Sequence, residues 1–275
     1  MDKKSATKTG RALVTGGLGF IGSHLVDRLL TDGWQVTVID NMITGHRSNL
    51  QHQLIKNSRL VVRECDIKDG KMIKNIVKGH DTVFHIAAHA DIRASLNDHM
   101  VDLENNLLST VKLLDAMKDN KITELVFAST SAIYGEAEER PTTESYAPIQ
   151  TSLYGASKQA CESFAQAYTQ LMPLKFWAFR FANVIGERCR RGVVWDFVHK
   201  LKRKPTNLEI LGDGKQSKEY LYVKDCVNGI MLGYEKSSNN VNLFNLGLEE
   251  QTLVNRVADI IIDEMKLSNV TRTYT

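Results

Sequence analysis

Tyr154 and Lys158 stand four residues apart in the run Tyr154-Gly-Ala-Ser-Lys158. On a helix that spacing puts the phenol and the ammonium on one face. A neighbouring cation stabilises phenolate and draws a pKa otherwise near 10 toward the range of a working base. Upstream, Ser129, Thr130 and Ser131 follow directly on an apolar run, Glu124 to Ala128. Hydroxyls at the carboxyl end of a parallel strand face the ligand crevice, where one can hold a substrate oxygen beside the tyrosine. The chain also carries glycine at 16, 19 and 22, between a strand-like run ending at Thr15 and a helical pattern. Gly16 allows a tight turn, Gly19 lets backbone approach a pyrophosphate, and Gly22 permits close helix–strand packing. The helix N-terminus then offers free N–H groups and the positive end of its dipole to phosphate.

Asp40 closes the second strand, eighteen residues after Gly22. A carboxylate there accepts hydrogen bonds from a ribose diol and repels a 2′-phosphate, which favours NAD over NADP. Arg47, a few residues on, either weakens that exclusion slightly or is a solvated loop charge. Asp66 follows the third strand, where it either meets an adenine edge or serves an ordinary turn. His85 sits at a strand end and reads as packing; neither it nor His89 belongs to a cluster of metal-ligand spacing. Trp195 and Phe197 read as core rather than as a stacking platform.

Apolar strand-like runs alternate with helical patterns, the signature of a parallel sheet flanked by helices. Strands are expected at residues 12–15, 35–39, 60–63, 82–86, 124–128 and 175–179, and helices near 19–30, 98–118 and 152–170. The fold class is thus α/β: a doubly wound parallel sheet with helices on both faces, plus a smaller C-terminal α/β domain. Residues 1–10 read as a disordered lead-in, 11–182 as the dinucleotide-binding domain and 183–275 as the substrate domain, part of it returning to the main sheet. The final run, Val270 to Thr275, is strand-like with no closing element after it and reads as an interrupted fold.

The 275 residues, 43% hydrophobic and 24% charged, can bury a sizeable core. A net charge of +3 from scattered basic residues gives no nucleic-acid footprint. Four dispersed cysteines without a C-x-x-C pair argue against structural zinc and a disulfide framework, and fit a reducing cytoplasm. No apolar run reaches the length of a membrane span, and the polar start lacks the core of a signal peptide.

Taken together, the glycine turn, the Asp-Asn at 40–41, Asp-Ile at 66–67, His-Ile-Ala-Ala at 85–88, the Asn106 region, the segments 129–135 and 154–158, Arg-Phe-Ala-Asn-Val-Ile-Gly at 180–186 and the run 212–225 resemble the extended short-chain dehydrogenases. Within them the chain is similar to the Rossmann-fold nucleotide-sugar epimerases and dehydratases, from about Arg11 to the last residue. The resemblance implies NAD as cofactor and a UDP-sugar as substrate. It makes Thr130, Tyr154 and Lys158 the catalytic set, with Tyr154 the base and Lys158 its partner and ribose ligand. It implies cofactor contacts from Gly16, Gly19, Phe20, Ile21, Gly22, Asp40, Asn41, Asp66, Ile67, Ile86, Ala87, Ala88, Asn106, Ser129 and Phe181. Substrate contacts would come from Thr130, Ser131, Tyr154, Asn183 and Lys218, and no metal is implied. It further implies a homodimer through the helices near 98–118 and 152–170, where Ala156, Ala160 and Phe164 share a stripe.

Two departures from the family pattern matter. Ala132 occupies the place where the dehydratases and decarboxylases carry a glutamate, and a methyl group has no proton to give. A 4-epimerase needs none, because hydride leaves and returns through the same cofactor with no second redox partner. Lys218 stands where the family usually has Arg, so a point charge replaces a fork toward the diphosphate. The expectation is reversible C4 epimerisation of a UDP-hexose. Its rivals are another nucleotide-sugar activity (reductase, dehydratase or decarboxylase) and a cofactor-binding protein without chemistry.

Overall fold

The structure is a computed structural model and describes residues 9–92 and 94–275. Residues 1–8 of the expected lead-in therefore lie outside the described residues. Gly10 already joins the sheet, its carbonyl accepting the Gln35 amide at 2.9 Å.

The first unit comprises residues up to Phe181 together with Lys224–Leu246. It opens with β1 (Arg11–Thr15), α1 (Phe20–Thr31), β2 (Gln35–Asp40) and the short α2 (Gln51–Lys56). Next come β3 (Leu60–Glu64), α3 (Gly70–Val77) and β4 (Thr82–His85). A one-turn α4 (Met100–Asp102) runs through a π-helical turn, Leu103–Leu108, into α5 (Ser109–Asp119). β5 (Glu124–Thr130), a 3-10 turn at Ser131–Tyr134, α6 (Leu153–Leu171) and β6 (Lys175–Phe181) follow. The helix starts are written in the sequence: Asp69 accepts from the Met72 amide at 3.0 Å, and Ser152 accepts from Gly155 at the same distance. The sequence showed neither α2 nor α3.

The second unit, Ala182–Val223 and Gly247–Thr275, contains β7 (Asn183–Ile185), α7 (Val193–Arg203), β8 (Asn207–Ile210), β9 (Ser217–Lys218) and β10 (Tyr220–Tyr222). The chain then passes through α8 (Val223–Lys236) and β11 (Val241–Leu246), which complete the first unit. It ends with β12 (Thr252–Leu253), α9 (Val254–Glu264) and β13 (Thr271–Tyr274).

Seven parallel strands form the sheet of the first unit, in the order β11-β6-β5-β4-β1-β2-β3. The inner strands β1, β4, β5 and β6 are buried on both faces and so read as largely apolar runs, whereas the edge strand β3 is mostly exposed. On one face Leu13, Val83, Leu125, Phe127 and Phe176 pack against α3, α5 and α6. A second aromatic group joins Trp34, Phe84, Trp177 and Tyr234, with Trp177 and Tyr234 centroids 5.1 Å apart. Each such side chain contributes roughly 1.5–3 kcal/mol when buried. The strand order reverses between β1 and β4, which makes the carboxyl ends of those two strands the switch point where ligands bind.

Within the second unit, Phe197, Leu201, Leu208, Ile210, Val257, Ala258 and Ile261 form the core. Trp195 does not join it: it is 37% exposed and stacks on His199, which corrects the reading of that residue as core. The terminal run read as interrupted is β13, and it pairs in parallel with β8 from Thr271–Asn207 to Tyr274–Ile210. Among the described residues no helix is long and apolar enough to cross a membrane.

Candidate active site

The glycine turn closes on itself and on β4. Gly16 has φ +67°, and its amide donates to the Ile39 carbonyl at 2.8 Å. A Cβ there would lie 2.8 Å from the Ala87 backbone, and one on Gly22 would fall 2.1 Å from the Gly16 carbonyl oxygen. Side chains are thus excluded where α1 meets the turn. No side chain caps α1 at Gly19, so the first-turn amides of Phe20 and Ile21 remain for an anion. Ile86 and Ala87 run beside this turn, their amides donating to the carbonyl and the hydroxyl of Thr15, while Ala88 is exposed.

Asp40 is buried at the end of β2, its carboxylate accepting from the amides of Leu18 (3.0 Å) and Met42 (2.8 Å). Burial raises its pKa, and the two amides pull it back down. Lone pairs remain on both oxygens for a diol. Asn41 lies at the limit of hydrogen-bond reach of Asp66, 3.5 Å away, so the ends of β2 and β3 meet. Asp66 also accepts from the Lys68 amide, which makes it a turn residue as well. Ile67 is buried in the main core. An uncapped helix end, a turn without room for Cβ and a carboxylate at the tip of β2 fit a bound dinucleotide.

The reacting groups sit on β5 and α6. A Cβ on Gly155 would lie 2.6 Å from the Ala132 carbonyl, so the start of α6 is pressed onto the 3-10 turn beside Thr130. Thr130 accepts the Ala132 amide on its Oγ1 at 3.1 Å, which leaves its own proton to give. Tyr154 lies in the first turn of α6 and is half-buried. Lys158, one turn on, is 1% exposed, with its Nζ 3.9 Å over the Phe127 ring. Burial lowers its pKa to about 8, against the opposing pull of Cys161 and Glu162.

Several expected residues are engaged elsewhere. Ser129 is buried and its hydroxyl is given to Glu162. Asn106 is buried as a strut: its amide nitrogen donates to the His89 carbonyl (3.0 Å) and the Ser157 hydroxyl (2.9 Å). Phe181 is buried at the end of β6, and Ser131 is exposed. His85 holds Thr15 and Thr110 through its two ring nitrogens, and burial lowers its pKa to about 3, so it is a neutral packing group. His89 pairs with Asp102 at 2.8 Å, and the described residues contain no group of ligands able to hold a metal.

Two residues were missed by the sequence reading: Glu162, one turn beyond Lys158, and Arg180 on β6. The signal was a carboxylate on the face of α6 that carries Tyr154 and Lys158. In the second unit, Asn183 opens β7 and is exposed, and Lys218 is exposed on β9, opposite Thr252.

Known proteins match this chain in sequence and in fold. Residues 12–247 match the profile of the NAD dependent epimerase/dehydratase family. The UDP-glucose 4-epimerase of Lacticaseibacillus casei is 32% identical over 254 residues, covering 85% of this chain and 75% of its own. A UDP-N-acetyl-alpha-D-glucosaminuronate decarboxylase of Bacillus cytotoxicus is 30% identical over 263 residues, 91% of this chain and 79% of its own. The structure of UDP-N-acetylglucosamine 4-epimerase from Methanobrevibacter ruminantium, in complex with UDP-N-acetylmuramic acid, superposes with a TM-score of 0.89 at 33% identity, covering 98% of this chain and 86% of that one. The chain belongs to the NAD dependent epimerase/dehydratase family, as an NAD-dependent enzyme of nucleotide-sugar chemistry.

Proposed function

We propose that the enzyme inverts C4 of a UDP-hexose reversibly, through a transient 4-keto sugar. The observation that carries this reading is Ala132. It sits in the turn between Thr130 and α6, its carbonyl pressed against Gly155, and puts a methyl group at the position where, by the family resemblance, dehydratases and decarboxylases carry a glutamate. The glycine turn, Asp40 and Asn41 would hold the cofactor, with Lys158 on its ribose. Bound NAD supplies the hydride acceptor and donor at C4. Tyr154 takes the O4 proton and gives it back. Thr130 donates its hydroxyl proton to O4 and so keeps that oxygen beside the phenol. The Lys158 charge favours the phenolate form of Tyr154, and its low-dielectric surroundings strengthen the effect. In the second unit, Asn183 and Lys218 would meet the diphosphate. Two chains would associate through the face formed by α5 and α6, where Phe164 is exposed, and light scattering would show a dimer.

Tyr154→Phe tests the chemistry: it removes the proton acceptor and leaves the pocket. Turnover should vanish while NAD binds as before. Thr130→Ala should be milder, since positioning of this kind contributes roughly 10²–10⁴-fold. A Tyr154→Phe enzyme that still epimerises would overturn the assignment.

A further inference from the structure

One turn beyond Lys158, α6 places a carboxylate that water does not reach. Glu162 is completely buried. It accepts Arg180 Nη2 at 2.8 Å on one oxygen, and Arg180 Nε at 3.2 Å together with the Ser129 hydroxyl on the other. Arg180 is only 4% exposed, and its remaining arm, Nη1, donates to the Tyr134 hydroxyl (2.6 Å) and the Glu144 carbonyl (3.0 Å). Tyr134 donates onward to Asn245 at 2.7 Å. Asn245 in turn donates its side-chain amide to the Thr142 carbonyl and its backbone amide to the Glu144 carboxylate. Ser129, Arg180 and Asn245 are register partners across β5, β6 and β11. The network therefore crosses the carboxyl ends of three strands, one residue behind Thr130.

A buried ion pair adds little net stability, and well-packed apolar groups of the same volume often replace it without loss. Its presence beside the reacting groups calls for a geometric explanation. A guanidinium can grip a carboxylate with two parallel donors and still reach a third partner; an ammonium cannot. We propose that Arg180 is a positioning residue: its fork on Glu162 sets α6, with Tyr154 and Lys158, against the end of β5 that carries Thr130, and its free arm holds segment 142–146 in the same register. This deepens the C4 reading and rests on it for the roles of Tyr154 and Thr130.

The test is the double variant Glu162→Met with Arg180→Met in the full-length protein, which removes both members of the buried pair together. Three quantities are compared with the parent: the thermal midpoint, amide hydrogen exchange across residues 142–146, and kcat and KM for C4 turnover. A misplacement of about 1 Å between reacting groups can cost 10²-fold. The double variant should keep the parental midpoint, exchange segment 142–146 at least about tenfold faster, and lose roughly 10–100-fold in kcat with little change in KM. Parental kcat together with parental exchange would overturn the proposal. If the double variant does not fold, Arg180→Lys keeps the charge and loses the fork; it should show the same loss in kcat, and parental kcat there would equally overturn the proposal. A parent enzyme that leaves C4 unchanged would instead sink the C4 reading, and the exchange comparison would still decide the role of Arg180.

Discussion

Lys158 works against the fold that contains it. Its ammonium is 1% exposed, and among the described residues its one direct partner is the face of Phe127. Loss of water lowers its pKa from 10.5 to about 8. At ~1.4 kcal/mol per pH unit, that displacement costs the charged form on the order of 3 kcal/mol. The cost is present in full below pH 8, where folded and unfolded chains both carry the proton. Between about 8 and 10.5 only the unfolded chain binds it, so stability rises with pH, and above that range nothing of the penalty remains. Methionine keeps the length and the packing of lysine without the charge. The lost cation–π contact offsets roughly 0.5–2 kcal/mol of the gain. Lys158→Met should therefore stabilise the NAD-free protein by about 1–3 kcal/mol at pH 7, with a gain that shrinks toward pH 10, and it should abolish turnover. Urea unfolding of both proteins at the two pH values, followed by tryptophan fluorescence, measures this. A variant less stable than the parent at pH 7, or a gain that ignores pH, would refute the reasoning.

Gly22→Ala would put a Cβ 2.1 Å from a backbone carbonyl with nothing flexible to yield; a loss of about 1–3 kcal/mol and at least tenfold weaker NAD binding are expected. Gly70→Ala, whose nearest neighbour is a lysine tail at 4.0 Å, is the control and should leave both unchanged. His85 stays neutral in the fold down to about pH 3 while the unfolded chain protonates near 6.5, so stability should fall as pH drops through that window. The slope should be up to ~1.4 kcal/mol per pH unit; His85→Gln should flatten it, and an unchanged slope in urea midpoints at pH 7, 5 and 4 would count against this account. Asp40 should make NAD bind more tightly than NADP in titrations of the cofactor-free protein, and equal or tighter NADP binding would contradict that.

Six of the seven strands, β1 to β6, were legible because parallel strands announce themselves as largely apolar runs such as Leu125–Ala128; β11, with the polar Asn242 and Asn245 among its six residues, was not located. The glycine turn was legible because its constraint is steric and local. α3 escaped notice because eight residues with only Ile73 and Val77 buried show too few turns for a helical period, and α2 buries no residue. Glu162 escaped notice because its partners, Ser129 and Arg180, come from two strands that the fold alone brings together. Asn106 was expected at the cofactor, and its bonds to His89 and Ser157 were not legible because those residues come from other elements of the fold. In the second unit, the pairing of β13 with β8 joins residues more than sixty positions apart, which no local pattern reveals.

On the proposed C4 reaction, Ala132, beside Thr130, Tyr154 and Lys158, leaves a site suited to inversion at C4 and to nothing that needs a further acid. That proposal is tested most directly by incubating the full-length protein with NAD and a panel of UDP-sugars (glucose, galactose, their N-acetyl forms and the uronic acids) and following the sugar ring by NMR. At least one pair should interconvert at C4 to an equilibrium reached from either side, with no net reduction of NAD. A 4-keto-6-deoxy sugar or released carbon dioxide in place of the C4 epimer would contradict the account.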